Sequence, residues 1–324
     1  MELLQHYGKL LDGAIATSIP NTPPDNLYDP LRYILSLGGK RLRPALTLFA
    51  ADVFGKASKE AVPAALAVEL FHNFSLIHDD IMDEAPLRRG QQTVHQKWDV
   101  NTGILSGDAL LILAYRLFEG YRPELFRDLA GLFSKTAMEV CEGQQYDMDF
   151  ETRNDVTIEE YLTMIRYKTA VLVGAALKMG AMIGGASAED QDRIYQFGVS
   201  LGVAFQLQDD HLDAFGNPET FGKQVGGDIL ANKKTYLYLR AIEAAKDVEA
   251  KELVHHFNGS PLEGQQKVDR VKELFEDSGA RTDIKAAIAD HTAQAIAQLE
   301  ALDIEEKQRD LLKGFADWLM NRNV

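Results

Sequence analysis

Two short acidic motifs carry the strongest chemical signal in the sequence. Residues 79–83 read Asp-Asp-Ile-Met-Asp, and residues 209–213 read Asp-Asp-His-Leu-Asp. On a helix, positions i and i+4 share a face, so Asp79 and Asp83 should converge with Asp80 beside them. Carboxylate oxygens are hard ligands that suit Mg²⁺, an ion that shares its coordination sites with water and substrate phosphate. The sequence therefore predicts two magnesium-binding motifs.

The repetition of the motif argues against coincidence. The chain has 27 Asp in 324 residues, so one such motif arises by chance about 0.2 times, and two arise with a probability of about 0.02. The plain alternative is a pair of solvated helix ends, but carboxylates at a helix C-terminus lie on the unfavourable side of the helix dipole. A functional role is the better interpretation. The looser pair of Asp147 and Asp149 is left open between a functional and a structural role.

Basic residues are scarce in this chain but they are clustered. Residues 38–44 read Gly-Gly-Lys-Arg-Leu-Arg-Pro, which predicts a glycine turn that leads into a cationic helix start. Arg88 and Arg89 follow the first acidic motif, and arginine can bind phosphate oxygens through two bonds. Further candidates are Lys168, Lys223 and Lys233. Together the acidic and basic groups predict a site for two diphosphates, one held through metal and one held directly by Lys and Arg.

The elements that must position these residues are helices. Leu66, Leu70, Phe74 and Ile77 step by three or four residues, and no segment shows sustained alternation of apolar and polar residues. The pattern predicts an all-α chain. The predicted helices span residues 3–18, 27–37, 41–54, 60–83, 103–119, 123–147, 158–167, 170–185, 188–214, 233–244, 247–257, 262–277, 280–300 and 305–321.

Composition limits the class of protein. The chain is 46% hydrophobic and has no linker-like stretch, which favours a single domain over residues 1–324. A net charge of −15 argues against nucleic acid and anionic lipid as partners. Residues 170–186 are apolar but interrupted by Lys178, so no integral membrane segment is expected. The N-terminus lacks signal-peptide features, and Cys141 lies in an apolar run, which predicts a buried thiol in a reducing, cytoplasmic compartment.

Taken in order along the chain, these motifs resemble the trans-isoprenyl diphosphate synthase (polyprenyl synthetase) family. The matching segments are residues 38–44, 72–83, 87–90, 168–169, 205–210 and 223–233. The resemblance implies head-to-tail condensation of isopentenyl diphosphate with an allylic diphosphate. It also implies a single-domain bundle of antiparallel helices around a deep central cavity, Mg²⁺ as cofactor with three ions per active site, and a homodimer.

The resemblance also implies a role for each matching residue. Metal ligation is implied for Asp79, Asp83 and Asp209, supported directly or through water by Asp80, Asp210 and Asp213. Binding of the allylic diphosphate is implied for Arg88, Lys168, Lys223 and Lys233. Binding of isopentenyl diphosphate is implied for Lys40, Arg43, His72 and Arg89. A position beside the developing allylic cation is implied for Thr169 and Gln206.

The helix that carries the first acidic motif also bears on product length. One helical turn rises 5.4 Å, comparable to one isoprene unit, so residues that precede Asp79 should line the cavity for the growing tail. Phe71, Phe74 and Ser75 occupy those positions. In the family this pattern resembles short-chain enzymes. It predicts geranylgeranyl diphosphate (C20), with farnesyl diphosphate (C15) as the alternative.

Other classes use parts of the same chemistry. A terpene cyclase ionises the same kind of substrate but needs no second diphosphate clamp such as Lys40, Arg43 and His72. A head-to-head synthase is disfavoured by the segment at residues 38–44. A di-iron helical bundle would use Glu-x-x-His, which occurs at residues 69–72 and 252–255. A regulatory subunit of the same fold would ordinarily have damaged Asp motifs.

Overall fold

The computed structural model describes residues 2–217, 225–259 and 262–321, and helices dominate those ranges. This confirms the all-α prediction. The helices are α1 (Glu2–Ser18), α2 (Asp25–Ser36), α3 (Leu42–Gly55), α4 (Val62–Met82), α5 (Val94–Lys97), α6 (Val100–Arg116), α7 (Pro123–Thr152), α8 (Ile158–Ile165), α9 (Val171–Gly184), α10 (Ala188–Phe215), α11 (Gly227–Leu230), α12 (Tyr236–Ala244), α13 (Asp247–Phe257), α14 (Gly264–Asp277), α15 (Ala280–Glu300) and α16 (Glu306–Met320).

Local sequence signals explain where several helices begin. Asp99 caps α6 by accepting a hydrogen bond from the backbone N–H of Thr102 at 2.8 Å. Thr157 and Glu160 form a capping box at the start of α8. Pro123 opens α7, where its missing N–H costs nothing. These caps satisfy N–H groups that a first helical turn leaves without partners, and they fix the starts of the helices that lead to the site residues.

The predicted helix ends agree with the structure to within about five residues, but four short elements were not predicted. Two are the strands β1 (Leu87–Arg88) and β2 (Gln91–Gln92), which pair antiparallel. Their turn has positive φ at Arg89 (54°) and Gly90 (74°), as a tight hairpin turn requires. The other two are the four-residue helices α5 and α11.

A π-helical segment, Arg166–Ala170, joins α8 to α9 without a break. The sequence predicts helix on both sides of this segment but gives no sign of the wider turn. Single π turns inside helices are frequent at functional sites. This one contains two predicted site residues, Lys168 and Thr169.

The chain divides into two compact units. Unit 1 comprises residues 1–135 and 175–192, and unit 2 comprises residues 136–174 and 193–324. In unit 1, α4 packs against α3 and α6. There α9 approaches α3 so closely that a methyl group on Gly180 would lie 2.1 Å from the backbone oxygen of Thr47. The assignment of a single domain stays a prediction.

Unit 2 has its own apolar core. In it α15 packs against α12, α14 and α16, and the largest fully buried side chains include Phe197 and Phe275. Gly143 of α7 lies directly against the π-helical segment: a methyl group there would be 2.3 Å from the backbone nitrogen of Lys168. A glycine is therefore required where α7 meets this segment.

None of the helices within the described ranges combines the length and the apolar character needed to cross a membrane.

One minor prediction is wrong: Cys141 is exposed, although it lies in an apolar run. Its position on α7 faces away from the buried residues of that run, because apolar periodicity constrains only one face of a helix.

Candidate active site

The first acidic motif lies at the C-terminal end of α4, in unit 1. Asp79 is in the last helical turn and Asp83 is the C-cap residue. Asp80 is 1% exposed and accepts two hydrogen bonds from Arg88, one from Nε at 2.8 Å and one from Nη2 at 2.7 Å. The arginine offsets the unfavourable helix dipole at this end. Asp79 is half-buried and Asp83 is exposed, so these two are the more accessible acids.

Asp80 and Arg88 therefore form a bonded pair of side chains and do not act as two independent site residues. Both carboxylate oxygens of Asp80 are engaged by the guanidinium, which suits the supporting role implied for it better than direct ligation. Within the described residues, the third nitrogen of Arg88, Nη1, has no hydrogen-bond partner. The side chain is 26% exposed. Arg88 is thus held by Asp80 with one nitrogen available to an anion.

Four arginines surround His72 in unit 1, and we call this group the arginine cluster: Arg41, Arg43, Arg88 and Arg89. Burial and the positive charges of Arg43, Arg89, Arg88 and Arg41, in that order, hold the pKa of His72 well below its usual value. Nη1 of Arg43 lies 3.4 Å from Nε2 of His72. Such a concentration of positive charge around a neutral histidine favours a polyanion as ligand.

Arg43 gives the clearest sign of a missing partner. Its Nε is buried and has no hydrogen-bond partner among the described residues. Burial lowers the pKa of the guanidinium, and the charge of Glu69 opposes that shift. A buried donor without an acceptor costs free energy. The predicted diphosphate would supply that acceptor.

Backbone conformation brings the cluster together. Gly39 has φ 135°, and a methyl group there would lie 2.8 Å from Nη2 of Arg89. Arg41 and Arg89 themselves have left-handed φ values of 48° and 54°. Non-glycine residues adopt this region at a cost, which is typical of functional sites. Lys40 is exposed in the same turn.

Arg41 has a structural role that the sequence did not reveal. It forms an ion pair with Glu69, which is 3% exposed, and it donates to the backbone oxygen of Leu35 at 2.5 Å. Asn73 also donates to Glu69, at 2.8 Å. The Glu69 carboxylate is therefore bonded to side chains within the protein.

Glu252 is likewise bonded to Arg270, at 2.7 and 2.9 Å. With both glutamates engaged by other side chains, neither Glu-x-x-His motif supports the di-iron alternative.

The second acidic motif lies near the end of α10, in unit 2. Asp210 is 5% exposed and accepts hydrogen bonds from the Tyr161 hydroxyl and, at 3.4 Å, from Nε2 of Gln206. Burial raises the pKa of Asp210 well above its usual value, and the nearby charges of Asp228 and Asp209 act in the same direction. The carboxylates of Asp209 and Asp228 thus lie near Asp210, where a cation would offset their mutual repulsion.

A short hydrogen-bonded chain links this motif to the π-helical segment. The hydroxyl of Thr169 donates to Oε1 of Gln206 at 3.4 Å, and Gln206 donates in turn to Asp210. Thr169 and Gln206 were both predicted to lie beside the developing cation. The structure places them together and connects them to the second acidic motif.

The predicted lysines have different surroundings. Lys168 forms an ion pair with Asp147, which gives the looser acidic pair at least one structural partner. Lys233 is exposed after α11, and its backbone N–H donates to the backbone oxygen of Asp228 at 2.9 Å. Lys234 donates to backbone oxygens at the end of α7. Lys223 lies outside the described residues.

Asp213 has a visible structural task. One of its carboxylate oxygens accepts from the backbone N–H of Asp228 at 3.0 Å, and its backbone oxygen accepts from Gly226 at 2.6 Å. It therefore attaches α11 to α10. Its role toward metal stays a prediction.

The three residues predicted to set product length differ in burial. Phe71 is 1% exposed and packs edge-on against Phe133, with ring centroids 5.2 Å apart. Phe74 and Ser75 are half-buried, and Phe74 lies between Phe71 (5.5 Å) and His78 (4.8 Å). Phe74 is thus the more accessible ring, backed by a buried aromatic layer.

The donor set fits Mg²⁺. In the part of the chain that the structure describes, no three carboxylate, His or Cys side chains are close enough to hold a metal on their own. Mg²⁺ ordinarily binds through one or two carboxylates and completes its shell with water and substrate phosphate. The carboxylates of both motifs, and the charges of Asp209 and Asp228 beside Asp210, match that preference.

Two site features escaped the sequence reasoning. Tyr161 was not predicted because its partner, Asp210, is 49 residues away in the chain. Asp228 lies in the glycine-rich stretch and belongs to neither motif. A single Tyr or Asp has no spacing signal, and only the folded chain identifies such residues.

Comparisons with known proteins agree with this geometry. The family model described as Polyprenyl synthetase matches residues 24–277. A curated geranylgeranyl diphosphate synthase of Methanosarcina mazei is 39% identical, over 96% of this chain and 94% of that protein. A short chain isoprenyl diphosphate synthase of Methanothermobacter thermautotrophicus is 36% identical, over 99% of this chain and 98% of that protein.

A solved structure agrees as well. The crystal structure of a geranylgeranyl pyrophosphate synthase is 52% identical and superposes with a TM-score of 0.92, covering 98% of each chain. Motifs, helical fold, family match and full-length relatives point the same way: the chain belongs to the polyprenyl synthetase family.

Proposed function

We propose that the protein is a short-chain trans-prenyltransferase that condenses isopentenyl diphosphate head-to-tail with an allylic diphosphate. The observation that carries the proposal is the arginine cluster around His72, with the buried Nε of Arg43, which has no hydrogen-bond partner in the ranges that the structure describes. A terpene cyclase binds one diphosphate and has no use for this group in addition to two Asp motifs. The relatives named for geranylgeranyl and short-chain diphosphate synthesis support the same activity.

In this proposal isopentenyl diphosphate binds to two members of the arginine cluster, Arg43 and Arg89, together with Lys40 and His72. Arg43 and Arg89 supply guanidinium donors, Lys40 adds an exposed ammonium, and neutral His72 donates one ring N–H. Arg41 keeps its ion pair with Glu69 and contributes positive charge to the cluster without binding the substrate. The cluster anchors the diphosphate and leaves the alkene end of the molecule to react.

The allylic diphosphate is the partner of the acidic motifs and the remaining cations. Metal ligation is proposed for Asp79, Asp83 and Asp209, with Asp80, Asp210 and Asp213 in support. Three Mg²⁺ ions bound there would neutralise the departing pyrophosphate and lower the barrier to ionisation. Further diphosphate binding is proposed for Arg88, Lys168, Lys223 and Lys233.

The reaction needs no protein nucleophile. The allylic C–O bond breaks and pyrophosphate leaves with the electron pair. The alkene electrons of isopentenyl diphosphate then form the new C–C bond, and a proton is lost to the pyrophosphate. Thr169 and Gln206 direct oxygen dipoles toward the allylic cation and stabilise it while it exists.

The proposed product is geranylgeranyl diphosphate, with farnesyl diphosphate as the alternative. Phe74 is the accessible aromatic on α4, and the buried Phe71 and Phe133 rings behind it support it as a floor. Ser75, one residue closer to Asp79, is small. This leaves more space beside Phe74 than an aromatic at that position would leave.

The deciding experiment incubates the protein with isopentenyl diphosphate and each of the C5, C10 and C15 allylic diphosphates, with Mg²⁺ or with EDTA. We expect Mg²⁺-dependent release of pyrophosphate and a C20 product. Consumption of allylic diphosphate without isopentenyl diphosphate would indicate a cyclase. Absence of turnover with every starter would refute the proposal.

The same proposal includes a cytoplasmic homodimer with one domain per chain. The diphosphate substrates are water-soluble anions, which supports the location. Light scattering on the purified protein tests the homodimer, and a single calorimetric unfolding transition is expected if the two compact units form one cooperative domain.

A further inference from the structure

Lys267 on α14 is a buried lysine with a single described hydrogen-bond partner. It is 7% exposed, and its Nζ donates to Oδ1 of Asn232 at 2.5 Å. Burial lowers its pKa. In the described ranges no carboxylate forms an ion pair with it. Its Nζ also lies 5.6 Å from the centre of the Phe257 ring. A buried ammonium without a carboxylate partner in the described ranges still costs free energy, which points to a role beyond stability for its bond to Asn232.

Its partner, Asn232, makes the turn that ends α11. Asn232 has φ 57°, the left-handed region that Asn tolerates better than most residues. Its N–H donates to the oxygen of Ile229 at 3.2 Å, and the N–H of Lys233 donates to the oxygen of Asp228 at 2.9 Å. These are the two bonds of a Schellman motif. The backbone of Lys233 is therefore fixed by the turn at Asn232.

The other end of α11 is fixed as well. Asp213 of α10 accepts from the N–H of Asp228 at 3.0 Å. Gly226, with φ 84°, lies against Val268 of α14, and a methyl group there would be 2.6 Å from Cγ1 of Val268. The short helix α11 is thus attached to α10 at its start and to α14 at both ends.

We propose that Lys267 is a positioning residue, which holds Asn232 and thereby orients Lys233 toward the allylic diphosphate. The inference rests on the proposed function, in which Lys233 binds that diphosphate. Lys267 itself does not touch substrate. Its effect should appear in the binding of one substrate and not of the other, because isopentenyl diphosphate is assigned to a different group of residues.

The test measures the two KM values separately in Lys267→Met, which retains the length of the side chain and removes the ammonium. We expect KM for the allylic diphosphate to rise about tenfold, since small misplacements of a binding group have large effects. KM for isopentenyl diphosphate should not change. Lys267→Arg, which keeps a donor, should recover most of the loss.

A second variant and a control make the test independent of folding. Asn232→Gly keeps the left-handed turn but removes the acceptor, and it should give the same selective rise. In Lys233→Ala, adding Lys267→Met should cause no further rise, because the two act through one group. Lys272→Met, on the same helix, should leave both KM values unchanged.

The outcomes separate the two proposals. Unchanged KM for the allylic diphosphate in both Lys267→Met and Asn232→Gly would overturn the inference, as would an equal rise in both KM values. An additive rise on top of Lys233→Ala would also overturn it. If Lys267→Met does not fold, Asn232→Gly decides. A wild-type protein inactive with every substrate pair would refute the proposed function instead.

Discussion

Arg88 holds both carboxylate oxygens of Asp80 across the turn that ends α4, at 2.8 and 2.7 Å. A buried carboxylate and a partly exposed guanidinium form a rigid pair in which the acid orients the base. This pair links the first acidic motif to the arginine cluster within unit 1. A residue predicted to bind metal thus positions a residue predicted to bind diphosphate.

Replacing Arg88 with Lys should distinguish the effect of its positive charge from the effect of its two hydrogen bonds to Asp80. Lysine keeps the positive charge but makes one bond where arginine makes two. We expect KM for the allylic diphosphate to rise about tenfold and unfolding free energy to fall by about 1–3 kcal/mol, because Asp80 loses a buried bond. Steady-state kinetics and chemical denaturation measure the two effects. The exposed Arg127→Lys is the control, and wild-type values for Arg88→Lys would contradict the pairing argument.

Local patterns in the sequence predict much of this fold because helices are local. The stepping of Leu66, Leu70 and Phe74 places α4, and Pro123 marks the start of α7. The hairpin after α4 is different. Its turn is Arg89-Gly90, which lacks the Asn-Gly sequence typical of such turns. Arg89 adopts a left-handed φ among several cations, and the local sequence does not predict that conformation.

The site is predictable where residues are close in sequence and unpredictable where they are distant. The Asp79 to Asp83 spacing is visible in one helical turn. The bond between Tyr161 and Asp210 joins residues 49 positions apart, and the Arg41–Glu69 pair joins two helices. Long-range partners depend on tertiary packing, so no spacing rule identifies them.

The pKa of His72 predicts a pH dependence of stability. Because burial and the arginine cluster depress that pKa in the folded state, the unfolded chain binds a proton below about pH 6.5 that the folded chain does not. The contribution is fully present above that pH and is lost as the pH falls. We expect His72→Gln to weaken the fall in melting temperature between pH 7 and pH 5. The exposed His255→Gln should retain it; equal slopes in wild type and His72→Gln would contradict this account.

Removing the Phe74 ring should lengthen the product. The ring is half-buried and rests on Phe71 at 5.5 Å, so Phe74→Ala opens space along α4 away from Asp79. We expect a product longer by about one isoprene unit, since one helical turn of 5.4 Å is comparable to that unit. Chromatography of dephosphorylated products measures the length. Phe126→Ala, at an exposed aromatic, is the control, and unchanged length in Phe74→Ala would exclude this ring as the floor.

Of the neighbouring residues Lys233 and Lys234, we expect the first to matter for substrate binding and the second for stability. The ammonium of Lys234 donates to the backbone oxygens of Phe150 at 3.2 Å and Glu151 at 3.1 Å, and to that of Arg153, where it complements the C-terminal dipole of α7. Lys234→Ala should lower unfolding free energy by about 1–2 kcal/mol.

Lys233→Ala should raise KM for the allylic diphosphate, and it should lower the melting temperature less than Lys234→Ala does, because the Lys233 side chain is exposed whereas the Lys234 ammonium donates to three backbone oxygens. Two adjacent lysines would thus differ in effect: replacing Lys234 would mainly lower stability in calorimetry, and replacing Lys233 would mainly weaken substrate binding in kinetics. If Lys234→Ala impaired substrate binding without loss of stability, the assignment of the two residues would have to be exchanged. The contrast is informative because the two residues are adjacent and carry the same charge, while the Lys234 ammonium is bonded at the end of α7 and the Lys233 side chain is exposed.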